Sequence, residues 1–340
     1  MGPRELLGDE VMTTATLKGN ERPTIGEFFL RAPAVGPTLA LLVAIVVFSL
    51  STDTFLDLDN LSLVVQQSLV VGTLALGQTL IILTAGIDLA NAAAMVLATL
   101  IMAKLVVGGV SGIWALLLGI VATVVIGMVT GSLVTRIKLP PFIVTLGLLT
   151  VLTAAAKLFA SGQALPVADS LLKWLGTRRY LFGGIPITYG MTLALLMYLG
   201  LWYALTRTPW GKHVYAVGNA PESARLSGIK VNRTILSVYI VAGVIVGIAA
   251  WQALGRVPNA DPNAFQLGNL DSITAVVLGG ASLFGGRGSV LGTMMGALVV
   301  AVLRSGLTQL GVDALYQDVA TGALLIGAVC VDRFARRQQS

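Results

Sequence analysis

Apolar residues along this chain fall in long blocks, at roughly 33–50, 61–84, 89–107, 113–134, 142–160, 187–206, 235–254, 273–284, 289–303 and 316–331. Most of these blocks approach the roughly 20 residues a helix needs to cross the hydrocarbon core of a bilayer. The pattern predicts an all-α membrane protein with about ten transmembrane helices. Two boundaries are soft. Only AGID separates 61–84 from 89–107, while 273–284 is too short to cross alone and runs into GGRG.

The polar segments between the blocks set the orientation. With the N-terminus inside, the cytoplasmic segments carry Arg136 and Lys138; Arg207, Lys212, Arg225, Lys230 and Arg233; Arg287; and Arg333, Arg336 and Arg337. The N-terminal tail adds Arg4, Lys18, Arg22 and Arg31. On the outer side lie Lys104, Lys157, Lys173, Arg178, Arg179, Arg256 and Arg304. Fifteen basic residues against seven predict N-in, C-in, which an even number of spans satisfies. Residues 1–32 are polar and mixed in charge and lack the compact apolar stretch of a cleavable signal. They read as a flexible cytoplasmic tail, and 33–335 as one polytopic domain. The longest outer segment, 161–186, sets Leu171, Leu172, Trp174 and Leu175 around Lys173. It reads as an interfacial turn or short helix that either anchors at the membrane surface or contacts a ligand or partner.

Two stretches combine glycine with polar groups inside apolar sequence: LGQTLIILTAGIDLANAAAMV at 76–96 and AVVLGGASLFGGRGSVLGTMMGAL at 275–298. If ten spans divide five plus five, the third and eighth correspond, and these open at or contain the breaks. An odd number of spans per half makes the halves inverted repeats, in which paired interruptions point to a transport route. Gln78, Gly86, Asp88, Asn91, Gly279 and Gly280 are the residues that would form that route or its gate. Asp88 reads either as a cap that orders the turn or as part of the pathway, since an ionisable group at membrane depth is costly. Gln66, Gln67, Gln78 and Asn91 either line a hydrophilic route or bond neighbouring helices. Gly292 and Gly296, four apart, fit close helix packing.

The charged island WGKHVYAVGNAPESARLSGI, 210–229, stands between two long apolar blocks. Asn219 and Glu222 around Pro221 read as a helix start, with the Asn side chain capping and the carboxylate at the positive helix end. Gly228 reads as the stop, since it adopts the left-handed conformation freely. The island therefore predicts a helix of about two turns outside the membrane. It either docks a partner or is a basic loop that sets topology.

Composition narrows the chemistry. Of 340 residues 56% are hydrophobic and 11% charged, with mean hydropathy +0.87; a soluble domain carries roughly 25% charged residues. The net charge of +6 is spread over short loops, which is no nucleic-acid face. One cysteine, Cys330, and one histidine, His213, supply neither a disulfide framework nor a metal cluster. Gly211-Lys212 lacks the first glycine of a phosphate loop and is followed by His213. The chain thus reads as no enzyme, without cofactor: a gradient-driven carrier, a channel, or the membrane part of an assembly powered elsewhere. A gradient-driven secondary transporter needs an intramembrane ion or proton site, and Asp88 is the interior acid that the blocks offer.

Four stretches carry a resemblance: GQTLIILTAGIDLA (77–90), PFIVTLGLLTVLTAAAKLFASG (141–162), GKHVYAVGNAPESARLSGIKVN (211–232) and ITAVVLGGASLFGGRGSVLGTMMGAL (273–298). With the ending LGVDALYQDVATGALLIGAVCVDR, they resemble the permease subunits of bacterial ATP-binding cassette sugar importers of the ribose, xylose and arabinose type, over roughly residues 35–335. Glu222-x-Ala224-x-x-x-Gly228 is similar to the motif by which such permeases dock their ATPase subunits. The resemblance implies that Asn219, Glu222, Ala224, Arg225 and Gly228, within the cytoplasmic loop 207–234, couple the permease to a separate ATPase. It further implies an extracytoplasmic sugar-binding protein, a second permease copy, and a place in the bacterial inner membrane. Where relatives read GGIDLSVG, this chain has AGIDLANA at 85–92; Gly86 and Asp88 stand, but the positions after Leu89 differ, compatible with a different sugar or related polar solute. Nucleoside or branched-chain amino acid import by a related permease shares the architecture.

Overall fold

The computed structural model describes residues 35–180 and 186–337; the tail expectation for 1–32 lies outside them. Five helices come first: α1 (Val35–Ser51), α2 (Leu58–Leu83), α3 (Asn91–Val107), α4 (Gly112–Thr135) and α5 (Pro141–Phe159). A connecting region follows, with β1 (Leu165–Pro166), α6 (Ser170–Lys173), a 3-10 turn over Trp174–Gly176, β2 (Arg178–Tyr180) and β3 (Pro186–Thr188). Then come α7 (Tyr189–Arg207), α8 (Pro209–Asn219), α9 (Pro221–Leu226), α10 (Val231–Arg256), β4 (Asn259–Ala260), α11 (Gly268–Leu278), α12 (Val290–Gln309) and α13 (Ala314–Arg337).

The helices α2, α4, α5, α7, α10 and α12 are long and apolar enough to cross a membrane. The helices α1, α3 and α11, with the Ala314–Cys330 part of α13, are shorter apolar helices. Eleven residues give α11 a length of about 16 Å, half of the roughly 30 Å hydrocarbon core. The blocks and the apolar helices correspond one to one, but they differ in reach.

Two 26-residue helices, α2 and α10, form the centre, and most of the C-terminal half of α2 is fully buried. Small residues let α10 lie directly on α4: a Cβ on Gly127 would strike the Tyr239 carbonyl, and one on Gly243 would stand 2.7 Å from the Thr123 carbonyl. Such close approach is how helices associate where lipid removes the hydrophobic incentive. The same device joins α11 to α12, where Gly279 lies on the Gly292 backbone and Gly296 on the Ala275 carbonyl. Packing is thus the structural role of Gly292 and Gly296, and Gly279 shares it. The outer helices α4, α5 and α7 keep apolar side chains such as Val121, Ile143 and Leu196 exposed, as a lipid-facing surface requires.

The described part of the outer segment, 161–180, packs into the bundle. Asp169 caps α6 by accepting the Leu172 N–H (3.0 Å), and Leu172 and Leu175 are buried. The indole of Trp251 donates to the Leu171 carbonyl (2.9 Å). Trp174 stacks on Tyr189 with ring centroids 4.4 Å apart. Two short antiparallel pairs frame this end, Leu165 opposite Ala260 and Arg178 opposite Thr188.

Candidate functional site

The two glycine breaks meet. α2 stops at Leu83 because Ala85 takes the left-handed conformation (φ 61°) and the Gly86 N–H closes onto the Ile81 carbonyl at 3.0 Å, a helix-ending arrangement that glycine usually supplies. α11 stops at Gly279, followed by Gly280 with φ 82°. The loop that follows turns through left-handed Gly285 and Gly286, and the Gly286 N–H donates to the Leu83 carbonyl at 3.0 Å. The breaks occupy different places in chain order, since α3 begins after its break while α11 ends before its own. What they share is one place in the molecule.

The third party at this junction is the end of α8. A Cβ on Gly218 would collide with the Leu83 carbonyl and stand 2.8 Å from the Gly286 nitrogen. A Cβ on Gly286 would stand 2.8 Å from the Asn219 Cα. The Tyr215 hydroxyl donates to the Gly288 carbonyl at 2.9 Å, and its burial raises its pKa, which keeps the proton on the donor. Backbone thus meets backbone at three segments, with no flexible side chain to absorb a displacement.

The island differs from its expected form. It holds two helices, α8 and the six-residue α9, rather than one helix of about two turns. Asn219 is the last residue of α8, and Ala220, with no capping side chain, precedes Pro221 at the start of α9. The expectation of an Asn219 cap is corrected: Pro221 with its fixed φ already starts a helix without a cap. α8 was legible in Thr208-Pro209. The Thr208 hydroxyl accepts the Gly211 N–H (3.3 Å) and Pro209 occupies the first turn, while Val214 and Val217 bury one face. Glu222 lies in the first turn of α9, as expected, and pairs with Arg225 at 3.0 Å; both are exposed, so the pair contributes only about 0.3 kcal/mol. Gly228 has φ 84°, and the Ile229 N–H reaches back to the Ala224 carbonyl (3.0 Å). Ala224 faces inward, while Glu222, Arg225 and the 81% exposed Leu226 form an open surface.

Deeper in the bundle lies a polar knot. The amide of Asn91, at the start of α3, lies 3.1 Å from that of Gln78 on α2. With its amide oriented to serve the turn, Gln78 Nε2 donates to the Asp88 carbonyl (3.1 Å) and Oε1 accepts the Asp88 N–H (3.2 Å). Because Gln78 precedes the end of α2 by more than a turn, α3 starts inside the bundle. So does α11: its Asn269 Oδ1 accepts the Ala92 N–H at 2.6 Å. The positive ends of two short helices therefore converge among polar side chains, which is how interrupted helices frame solute sites in transporters. The Asp88 carboxylate accepts the Ala90 N–H at 2.7 Å, a side-chain turn that orders the loop. Beside it lies a cavity of about 20 Å³ lined by Asp88, Asn91, Thr130 and Tyr239. That space suits a water molecule and is too small for a monosaccharide.

Sequence reasoning missed Asn269, Asp271 and Ser272, all buried on α11. Asp271 corrects the expectation that Asp88 is the interior acid: Arg304 of α12 donates to Asp271 at 2.8 Å and to Asp318 of α13 at 3.0 Å. The pairing of Asp271 with Arg304 thirty-three residues on gave no local signal. Among the described residues no cluster of three or more His, Cys, Asp or Glu side chains could hold a metal ion.

The chain matches the family described as branched-chain amino acid transport system / permease component over residues 60–329. It is similar to the fructose import permease protein of Rhizobium meliloti, 36% identical over 343 residues that cover 98% of this chain and 95% of that one. It is similar also to the ribose import permease protein of Bacillus subtilis (36% over 299 residues; 88% and 92%) and to that of Escherichia coli strain K12 (33% over 327 residues; 94% and 99%). No solved structure matches significantly.

Proposed function

This chain belongs to the family of import-system permease components, and from that premise we propose that it is the membrane subunit of an ATP-driven importer for a monosaccharide. Fructose and ribose in the names of its relatives support a sugar over the amino acid of the family description. An extracytoplasmic binding protein delivers the sugar to a pair of permease copies in the inner membrane, N-in and C-in. Two ATPase subunits dock on α9 from the cytoplasm through the exposed Glu222, Arg225 and Leu226, while the inward Ala224 and the turn at Gly228 hold α9 in place.

The observation that carries this reading is the seating of α8 on both glycine breaks. As the ATPases close, α9 moves with them, and the end of α8 displaces the 84–86 turn and the 279–288 loop. α3 and α11, anchored on those turns, shift their converging ends, and Gln78, Gly86, Asp88, Asn91, Gly279 and Gly280 act as hinge and gate beside the route. The small cavity at Asp88 favours a route framed between two copies over one through a single bundle. The sugar need not bind tightly here, because affinity resides in the binding protein.

Vesicle uptake separates this from a gradient-driven carrier. With the binding protein and ATPase present, uptake continues when the ion gradient is collapsed and stops when ATP is withdrawn with the gradient intact. Uptake that follows the gradient instead contradicts the proposal.

A further inference from the structure

We propose that the end of the bundle opposite α8–α9 holds an oxyanion pocket, in which Arg178, Arg256 and the buried Gln252 receive a phosphate group. A cavity of about 130 Å³ lies there, lined by Gln66, Arg178, Thr188, Gln252 and Arg256 with apolar walls from Leu69 and Leu175. That is about ten times the roughly 10–15 Å³ that admits one water, and no carboxylate lines it.

Its charged and most buried polar groups are donors, while Gln66 gives its Nε2 to the Ser62 hydroxyl (3.1 Å) and the Thr188 hydroxyl accepts the Met191 N–H. Gln252 is 3% exposed; its Oε1 is held by the Thr73 hydroxyl at 2.6 Å, which fixes the amide so that Nε2 is the free donor. That Nε2 is buried without a hydrogen-bond partner, on a residue that lines the cavity, and a buried donor left unpaired is destabilising. Arg178 and Arg256 make no ion pair among the described residues, whereas the neighbouring Arg179 is committed to the Tyr189 hydroxyl (2.9 Å). The N-terminal turn of α7 also reaches the cavity through Gly190, adding the partial positive charge of a helix start. Two guanidiniums with no carboxylate beside them, a buried amide donor and a helix N-terminus favour a tetrahedral or planar oxyanion. The stacked Trp174 and Tyr189 are chain neighbours of the lining residues Leu175 and Gly190, and such aromatic residues are enriched where membrane proteins meet lipid headgroups. Phosphate is therefore the group named, from a free ion or from an anionic headgroup.

The full chain in detergent would be titrated with inorganic phosphate and followed by thermal unfolding. In parallel, nanodiscs of phosphatidylcholine with and without phosphatidylglycerol would be analysed for retained lipid by native mass spectrometry. Arg178→Gln lies on an exposed hairpin and tests the charge without disturbing the core. Gln252→Glu keeps the acceptor for Thr73 while setting a carboxylate in the pocket, and Lys157→Gln is the control. Saturable phosphate stabilisation weakened about tenfold in both pocket variants and intact in the control supports a free-ion site. Phosphatidylglycerol retention lost in the same two variants supports a headgroup site. If both variants match the wild type in both assays, the pocket holds only water and the proposal is overturned.

Discussion

Gly218 rests on Leu83 with no space between them: a side-chain carbon at 218 would overlap the Leu83 carbonyl, the same carbonyl that accepts the Gly286 N–H. One atom thus sees the end of α8, the end of α2 and the loop after α11. Gly218→Ala should force these apart at about 1–3 kcal/mol, the usual cost of overpacking. In a reconstituted complex we expect ATPase retention near wild type with sugar uptake reduced tenfold or more. Equal loss of docking and uptake would show that the contact only stabilises the fold.

At Gly228 the cost is in the backbone alone, since φ is 84° and a Cβ there meets nothing within 4 Å. Gly228→Val should therefore distort the return of the chain by about 1–2 kcal/mol. Gly228→Asn, which tolerates this conformation, should behave close to wild type. The readout is ATPase subunit retention on a purified complex. If Asn and Val behaved alike, φ would not be what matters at this position.

For Gly292 the space decides. A methyl there would collide with the Gly279 carbonyl and stand 2.9 Å from Ser289 Oγ, so Gly292→Ala should lower the unfolding temperature of the detergent-solubilised protein and impair uptake as severely as a bulky residue at Gly280. From sequence Gly292 and Gly296 read as a packing pair, but a small-residue pair at i, i+4 does not reveal how near the partner backbone lies.

That contrast describes what was legible. Long apolar blocks gave the helices α2, α4, α5, α7 and α10 because most of their lipid-facing and core positions are apolar, with polar exceptions such as Gln78 and Gln252 scattered singly. They misplaced α11 by several residues. Its start carries Asn269, Asp271 and Ser272, which read as polar loop but are buried, and the turn after it carries Ala281, Leu283 and Phe284, which read as helix. Hydropathy scores surroundings, and these polar groups find theirs in other helices. Gly228 as a stop was legible because a left-handed turn demands that residue type. The meeting of Leu83, Gly218 and Gly286 was not, since it joins segments more than sixty residues apart through backbone atoms that any sequence possesses.

Asp88 offers a test of charge. Its carboxylate orders the 84–90 turn by accepting the Ala90 N–H, a bond that an Asn side chain also accepts. Asp88→Asn should retain most uptake, while Asp88→Ala should lose several-fold. Complete loss in Asp88→Asn would assign the charge itself a part in transport and favour an ion-coupled carrier.

The coupling claim is tested most directly by placing a photo-crosslinking amino acid at Leu226, which projects from α9 with 81% exposure, in cells that express the whole import system. Light should join this chain to its ATPase subunit, with a yield that changes when ATP is bound, while the same amino acid at Leu158, 81% exposed near the far end of α5, should give no such product. A product from Leu158 and none from Leu226 would contradict the account.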